Sequence, residues 1–425
     1  MTDKPVVVVG FVTPVMAALV EFQPPGSVIL VEEPDVVRKR DVRGKLAGST
    51  VLRELIEWEY CVVGRADEFY NAHPDLDPAA VVPLLEYATP FAARLAERYG
   101  LPGASLGAAN IMRDKALLRQ VTAAAGVRNP EMAPAHSPAD VLSFMRQHPG
   151  PVVLKPANRQ ASVGTQVIYD PNDVLRAWLA CVAQDEGILV PDRAVELRML
   201  VERYVAGDEY SVEMLVQRGK PVFANVTAKQ LFPGSRPVEL AHLVPADIPP
   251  ALTATLGAQT ARVVDVTGFR DGIVHCEWIV ADGVPHLVEC AGRCPGDGIM
   301  EIIERAYPVP LLRTYFEIMK GRQPSAPMPS KARGGAAVRF VAVEPGTVDS
   351  INGVEAAREA PGVFLADVMV AAGHKVTGLR SSWDRAAIVM ATGGSAAEAL
   401  RRAEVAAEMI DIDVQPQRSV ADAAR

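Results

Sequence analysis

The 425-residue sequence has no excess of basic residues, no polar low-complexity tract, no repeat of fixed period and no long uninterrupted apolar run near its start. Lysine and arginine number 43 against 51 acidic residues, for a net charge of −8. That balance excludes the basic footprint of a nucleic-acid binder and suits a protein that takes small ligands. The first apolar stretch, Pro5 to Val9 with its continuation to Val20, is interrupted by Gly10, Thr13 and Pro14 and follows no basic region. It reads as a strand, not as a secretion signal or a membrane span. Five cysteines, an odd number scattered along the chain, make no disulfide framework and point to a reducing compartment, the cytoplasm. The turn from Gly10 to Pro14 lacks the G-x-G-x-x-G of dinucleotide binders, which argues against NAD or FAD there.

What is present is an ordinary globular composition, 49% hydrophobic and 22% charged, in a chain long enough for two to four domains. KPVVVVGF (4–11), SVILVEEP (27–34) and EYCVVGR (59–65) are short β-branched runs between segments of helical composition, the pattern of buried parallel strands. They predict an N-terminal open-sheet α/β domain over 1–110. Helical spacing from Ile111 to Ala125 stops at Gly126 and Pro130. PVVLKP (151–156) and TQVIYD (165–170) predict strands around a small-residue turn, followed by a helix over Asp173 to Gln184 and then LRMLVERYV (197–205). YSVEMLVQRGKPVFANV (210–226) predicts a hairpin turning at Arg218-Gly219. A Pro-, Gly- and Ser-rich linker, GRQPSAPMPSKARGG (321–335), leads to a β-rich C-terminal unit with a final helix from Ser395 to Met409.

The most informative segment is VECAGRCPGD (288–297). IVHCEWIV (273–280), ADGVP (281–285) and HLVECAG (286–292) form a hairpin signal, and pairing Val280 with His286 sets Glu277 opposite Glu289 and Cys276 opposite Cys290. Side chains alternate faces with period two, so the glutamates share one face and the cysteines the other. Opposed carboxylates repel unless a positive charge lies between them, and Mg²⁺, which takes one or two carboxylates and fills its octahedron with phosphate oxygens and water, is the economical choice. The cysteines read as core residues; a zinc site of His275, Cys276, Cys290 and Cys294 lacks paired metal-ligand spacing. A solvated sheet face is the alternative for the glutamates. Arg293 would leave the strand beside the metal, able to bind a phosphate or carboxylate bidentately. In VVLKPANRQASVGTQV (152–167), Lys155 ends a strand and Ala161, Ser162 and Gly164 form a small-residue turn whose N–H groups can approach an anion.

Lys115 in RDK (113–115), Lys155 in VVLKP, ERYVAGDEYSVE (202–213) and the Glu277, Glu289, Arg293 set, in this order and spacing, resemble the ATP-grasp superfamily. HKVTGLRSSWDRAAIVMATGGSAAEAL (374–400) is similar to the small closing domain of its carboxylase-like and amino-acid ligase branches. The resemblance implies an ATP-grasp fold: an N-terminal open parallel sheet, a central ATP-grasp region over 111–320 with a lid at about 127–201, and a small β-rich C-terminal domain over 321–425. It places Lys115 and Lys155 on ATP phosphates, Ser162 to Gly164 in the loop closing over them, the Arg203 carbonyl and Val205 N–H on the adenine edge with Glu202 beside it, and Glu209 on the ribose hydroxyls. Glu277 and Glu289 become the metal ligands, for Mg²⁺ with Mn²⁺ as a substitute, and Arg293 the neutraliser of the transferred phosphoryl group. Ala291 stands where the family has an asparagine, so either a second ion relies on the two glutamates and phosphates or one ion alone is tight.

NVTAKQLFPGSRPVELAHLVPADIP (225–249) resembles the substrate segment of the L-amino-acid ligase branch, with Glu239 and His242 at the amino-acid site; Asp297 would touch the first substrate. The implied activity is an ATP-dependent carboxylate–amine ligase that forms an amide or dipeptide bond through an acyl phosphate, taking small acids and amines, amino acids foremost, with no nucleic acid or membrane partner and room for a homodimer. A carboxylase of the purine or biotin type is the enzymatic rival, opposed by the lack of a biotin-attachment segment. An ATP-binding protein without turnover is the other rival.

Overall fold

The computed structural model describes residues 4–416 except 185, 194, 195 and 326. The first sheet is parallel, in the order β3-β2-β1-β4, with β1 Val6–Val9, β2 Val28–Glu32, β3 Leu52–Glu57 and β4 Ala80–Pro83. Every residue of β1, β2 and β4 is buried, as befits strands covered on both faces. The expected third strand at 59–65 is corrected to Leu52–Glu57, an edge strand of half-buried and exposed residues with no β-branched run to announce it. Residues 59–64 instead loop past the end of β2, and Arg65 opens a helix. There the Tyr60 hydroxyl donates to Glu32 at 2.9 Å and the Cys61 N–H to Glu33 at 2.7 Å.

The expected single helix from Ile111 to Ala125 is two, Leu106–Arg113 and Lys115–Ala124. Asp114 between them is extended, and its carboxylate accepts from the N–H groups of Ala116 and Leu117, capping the second helix. The break sets Lys115 on the first turn.

A second sheet, ordered β5-β8-β6-β7, joins β5 Met132–Ala135, β6 Val152–Pro156, β7 Gln166–Ile168 and β8 Met199–Arg203, all antiparallel. The helices Pro138–Gln147 and Val174–Ala183 cover it around Val141, Phe144, Leu154 and Val201.

The chain then forms β9 Asp208–Gln217, β10 Lys220–Leu231, β11 Glu239–Val244, β12 Gly272–Ala281 and β13 Val284–Ala291. β9 turns into β10 at Arg218 and Gly219, whose φ of 52° and 72° are the left-handed pair of a tight hairpin. β14 Gly335–Val341, β15 Gly346–Asn352, β16 Val363–Val368, β17 Lys375–Val376, β18 Ala387–Gly393 and β19 Asp411–Pro416 follow. The C-terminal unit does not stand wholly apart: β14 pairs with β11, giving one eight-stranded sheet, β13-β12-β9-β10-β11-β14-β18-β16, beside a small sheet β17-β15-β19. Among the described residues no helix is long and apolar enough to cross a membrane.

Candidate active site

The hairpin β12–β13 sets Glu277 directly opposite Glu289 and Cys276 opposite Cys290. The starting pair is corrected, however: Val280 faces Pro285, and His286 faces Ile279. A bulge that passes over Val288 restores the register before the glutamates. Arg119 holds the bulge open, donating to the carbonyls of Leu287 at 2.6 Å and Val288 at 3.0 Å. The cysteines lie in an apolar cluster with Val212, Met214 and Trp278, and among the described residues no group of three or more His, Cys, Asp or Glu side chains is arranged to hold a metal.

The glutamates face a cleft of about 430 Å³ lined from the first sheet's loops, the second sheet and the eight-stranded sheet. Lys115, Lys155, Ser162, Glu202, Arg203, Val205, Glu209, Glu239, His242, Arg293 and Asp297 line it with them. Gly164 does not line it: its N–H is taken by Gln184 Oε1 at 3.1 Å, and a Cβ there would meet the Cys181 carbonyl at 3.1 Å. Its φ of 75°, with 56° at Ala161 and 57° at Ser162, shapes the turn instead. That turn touches the C-terminal unit, the Ser382 N–H donating to the Ala161 carbonyl at 3.3 Å.

Each carboxylate already has a cation. Lys229 on β10 bonds Glu277, and Lys115 Nζ lies 2.8 Å from Glu289. Burial disfavours both charges, but Lys229 and His275 hold the Glu277 carboxyl well below its usual range, and Lys115 lowers that of Glu289. His275 bridges Glu277 at 3.0 Å and Glu213 at 2.9 Å, and Glu213 in turn accepts from Ser211, Asn225 and Thr227. Burial opposes protonation of His275, yet these two carboxylates push its pKa up to about 9.

Lys155 and Arg119 both lie 2.6 Å from Glu202, whose carboxylate therefore points inward. Burial lowers the Lys155 ammonium against the pull of Glu202. The Arg203 and Tyr204 N–H groups are spent on the carbonyls of Glu131 at 2.9 Å and Pro151 at 3.0 Å. Burial pushes the Glu209 carboxyl up to about 7, opposed by Lys229 and reinforced by Glu277 and Glu239.

Glu239 accepts from the Ser382 hydroxyl at 2.9 Å and lies 3.7 Å from Lys229. His242 Nε2 is 3.1 Å from Asp297, which Arg385 of the C-terminal unit grips with two nitrogens, one at 2.9 Å. Arg293 Nε donates to Glu86, beyond β4, at 3.0 Å, and Nη1 to the Cys294 carbonyl at 2.7 Å. Sequence reasoning missed Lys229, Arg119, Arg385, Ser382 and Glu86, and weighed His275 only as a zinc ligand, not as the bridge between Glu213 and Glu277. For Lys229 and His275 a signal existed, a charged or titratable residue inside an otherwise apolar strand; the others sit in loops or far along the chain from their partners.

The donors on the glutamate face suit Mg²⁺: two ionised hard-oxygen ligands, no thiol, and too few protein ligands for a closed cage, which leaves room for phosphate oxygens.

The ATP-grasp domain family matches residues 148–301. Together with the fold this shows that the chain carries an ATP-grasp domain. Its C-terminal residues 339–415 match L-amino acid ligase C-terminal domain 2. The L-amino acid ligase structure from Bacillus licheniformis superimposes with a TM-score of 0.79 at 17% identity, over 97% of this chain and 99% of that one. Dapdiamide A synthase of Enterobacter agglomerans is 27% identical over 195 residues, 45% of each chain. A D-alanine–D-alanine ligase of Acidiphilium cryptum is 32% identical over 178 residues, 40% of this chain and 52% of that ligase. The chain thus spans about half the length of these two relatives.

Proposed function

We propose that the protein is an ATP-dependent carboxylate–amine ligase whose substrates include an amino acid. The observation that carries this reading is the meeting of Glu277, Glu289, Lys115, Lys155 and Arg293 in one cleft with Glu239 and His242. Lys115 and Lys155 supply positive charge for ATP phosphates, and each is already matched to an acid that can release it. Arg203 and Val205 offer backbone to the adenine edge, and Glu209, kept partly protonated by burial, can both donate to and accept from ribose hydroxyls. Glu277 and Glu289 would hold Mg²⁺, which when bound neutralises charge on the terminal phosphates and orients them.

The chain's own residues then arrange phosphoryl transfer to a carboxylate and attack by an amine. Lys229 and Arg293 bracket the region with cationic charge where negative charge grows on the transferring group. Arg293 has a planar fork for two phosphoryl or carboxylate oxygens once it leaves Glu86. Glu239 offers an anion to a substrate ammonium, and Arg385, which grips Asp297 beside His242 and donates to the Ser382 carbonyl, ties that pair to the serine that bonds Glu239. Closure of the 161–164 turn against the C-terminal unit would exclude water, which protects an acyl phosphate from hydrolysis.

The test is to incubate the protein with ATP, Mg²⁺ and pairs of amino or organic acids, measuring phosphate release and product mass. Amide product with stoichiometric ADP and phosphate is the expected result. ATP turnover that requires bicarbonate instead would point to a carboxylase.

A further inference from the structure

The turn over 159–163, which lines the cleft, is fastened from two directions. On one side the Ala161 carbonyl accepts from Ser382 of the C-terminal unit. On the other stands Glu186, a residue with no role in the reading above. One oxygen of its carboxylate accepts the Gln160 N–H at 3.3 Å and the other accepts the Tyr87 hydroxyl. Tyr87 belongs to the short helix Glu86–Ala88 that follows β4 of the first sheet. Glu186 is 7% exposed and stands outside the cleft lining, so it acts on the turn from behind.

Both ends of this bridge are braced. The Arg113 guanidinium lies over the Tyr87 ring at 4.1 Å and donates to the Asn158 carbonyl, just before the turn, at 2.7 Å. Beyond Glu186 the chain stays against the first sheet's helices and loops. Lys39 donates to the Val190 carbonyl at 3.0 Å, Arg38 and Lys39 both pair with Asp192, and Arg193 lies 2.5 Å from Glu33. Glu86, next to Tyr87, holds Arg293, so one short helix braces both the turn and the arginine of the cleft. Parting the turn from Tyr87 would strand a buried carboxylate, and that cost favours the joined arrangement.

We propose that Glu186 is a positioning residue for the nucleotide: bridged to Tyr87, it holds the 159–163 turn in the form that receives the ATP phosphates and thereby slows nucleotide release. The inference rests on the ATP-binding part of the ligase reading. A turn held in its binding form before the ligand arrives spares the ordering cost at binding.

The test is stopped-flow measurement of association and release of a fluorescent, non-hydrolysable ATP analogue with Mg²⁺. Tyr87→Phe keeps the ring under Arg113 and removes the hydroxyl alone, whereas Glu186→Ala removes both bonds. Each should speed release about tenfold or more while association changes by less than about threefold. Glu186→Gln, whose amide has an acceptor for the Gln160 N–H and a donor for the Tyr87 oxygen, should release the analogue within about threefold of the parent rate. Should Glu186→Ala fail to fold, Tyr87→Phe decides alone. Parent-like release in folded Tyr87→Phe, release as fast from Glu186→Gln as from Glu186→Ala, or no binding of the analogue by the parent protein would overturn the assignment. Failure of the ligase reading looks different: no amide forms from any acid–amine pair, while Tyr87→Phe still releases the analogue faster than the parent.

Discussion

Cys276 and Glu277 are adjacent on β12, as Cys290 and Glu289 are on β13, yet the two cross-strand pairs occupy opposite surroundings. The cysteines lie in the dry cluster around Trp278, whose indole N–H donates to Thr260 at 3.0 Å. The glutamates, one residue away, sit among Lys115, Lys229 and His275 at the cleft. The same backbone register serves both pairs. Only the alternation of side chains separates a packing role from a charged one, so substitutions at neighbouring positions should have unlike consequences.

The largest effect is expected at Glu289. Glu289→Gln should lower phosphate release by roughly 10²-fold or more while the far-UV spectrum and melting temperature stay near those of the parent protein, because in the proposed site one of the two carboxylates that would hold Mg²⁺ is lost. Full turnover by a folded Glu289→Gln protein would remove Glu289 from the metal site.

Arg293→Ala and Arg293→Lys come next. Both should lower kcat by roughly 10-fold to 10²-fold with little change in KM for ATP, since lysine keeps the charge but loses the two-pronged geometry. A normal kcat with a raised KM for one amino acid would make Arg293 a substrate-recognition residue.

Glu209 gives a pH-dependent arm. Its carboxyl is raised from 4.5 to about 7, chiefly by burial, so the folded state holds the proton more tightly than the unfolded chain. The stability this supplies is complete below pH 4.5 and is lost as pH rises through about 7. Glu209→Gln should flatten the fall in melting temperature between pH 5 and pH 8, by an amount worth roughly 1–2 kcal/mol. Parallel curves for parent and variant would show that Glu209 does not carry this dependence.

The smallest effect on catalysis belongs to the cysteine face. Cys276→Ser or Cys290→Ser should cost about 1–3 kcal/mol of stability by burying a hydroxyl among apolar side chains, with activity largely retained. About one equivalent of tightly bound zinc in the purified protein would reverse this expectation.

How much of this was legible beforehand follows the range of the interactions. The opposed glutamates were readable because pairing within one hairpin is a local matter. Even there the register was read one residue out at Val280, and the bulge at Val288 cancelled the error. The helix break at Asp114 was missed although an aspartate before a helical run is a capping signal. The edge strand Leu52–Glu57 was missed because half its residues meet water and the pattern of a buried strand is absent.

By itself the sequence determined the α/β layout, the turn at Arg218-Gly219 and the separation of cysteines from glutamates, because strand alternation, turn chemistry and apolar runs are properties of neighbouring residues. Only the tertiary structure decided which cation stands on which carboxylate. Lys229 reaches Glu277, Arg385 reaches Asp297, and Arg293 reaches Glu86 across 48, 88 and 207 residues. Such pairs form where three sheets converge, and burial there leaves a charge no option except the opposite charge that the fold brings to it.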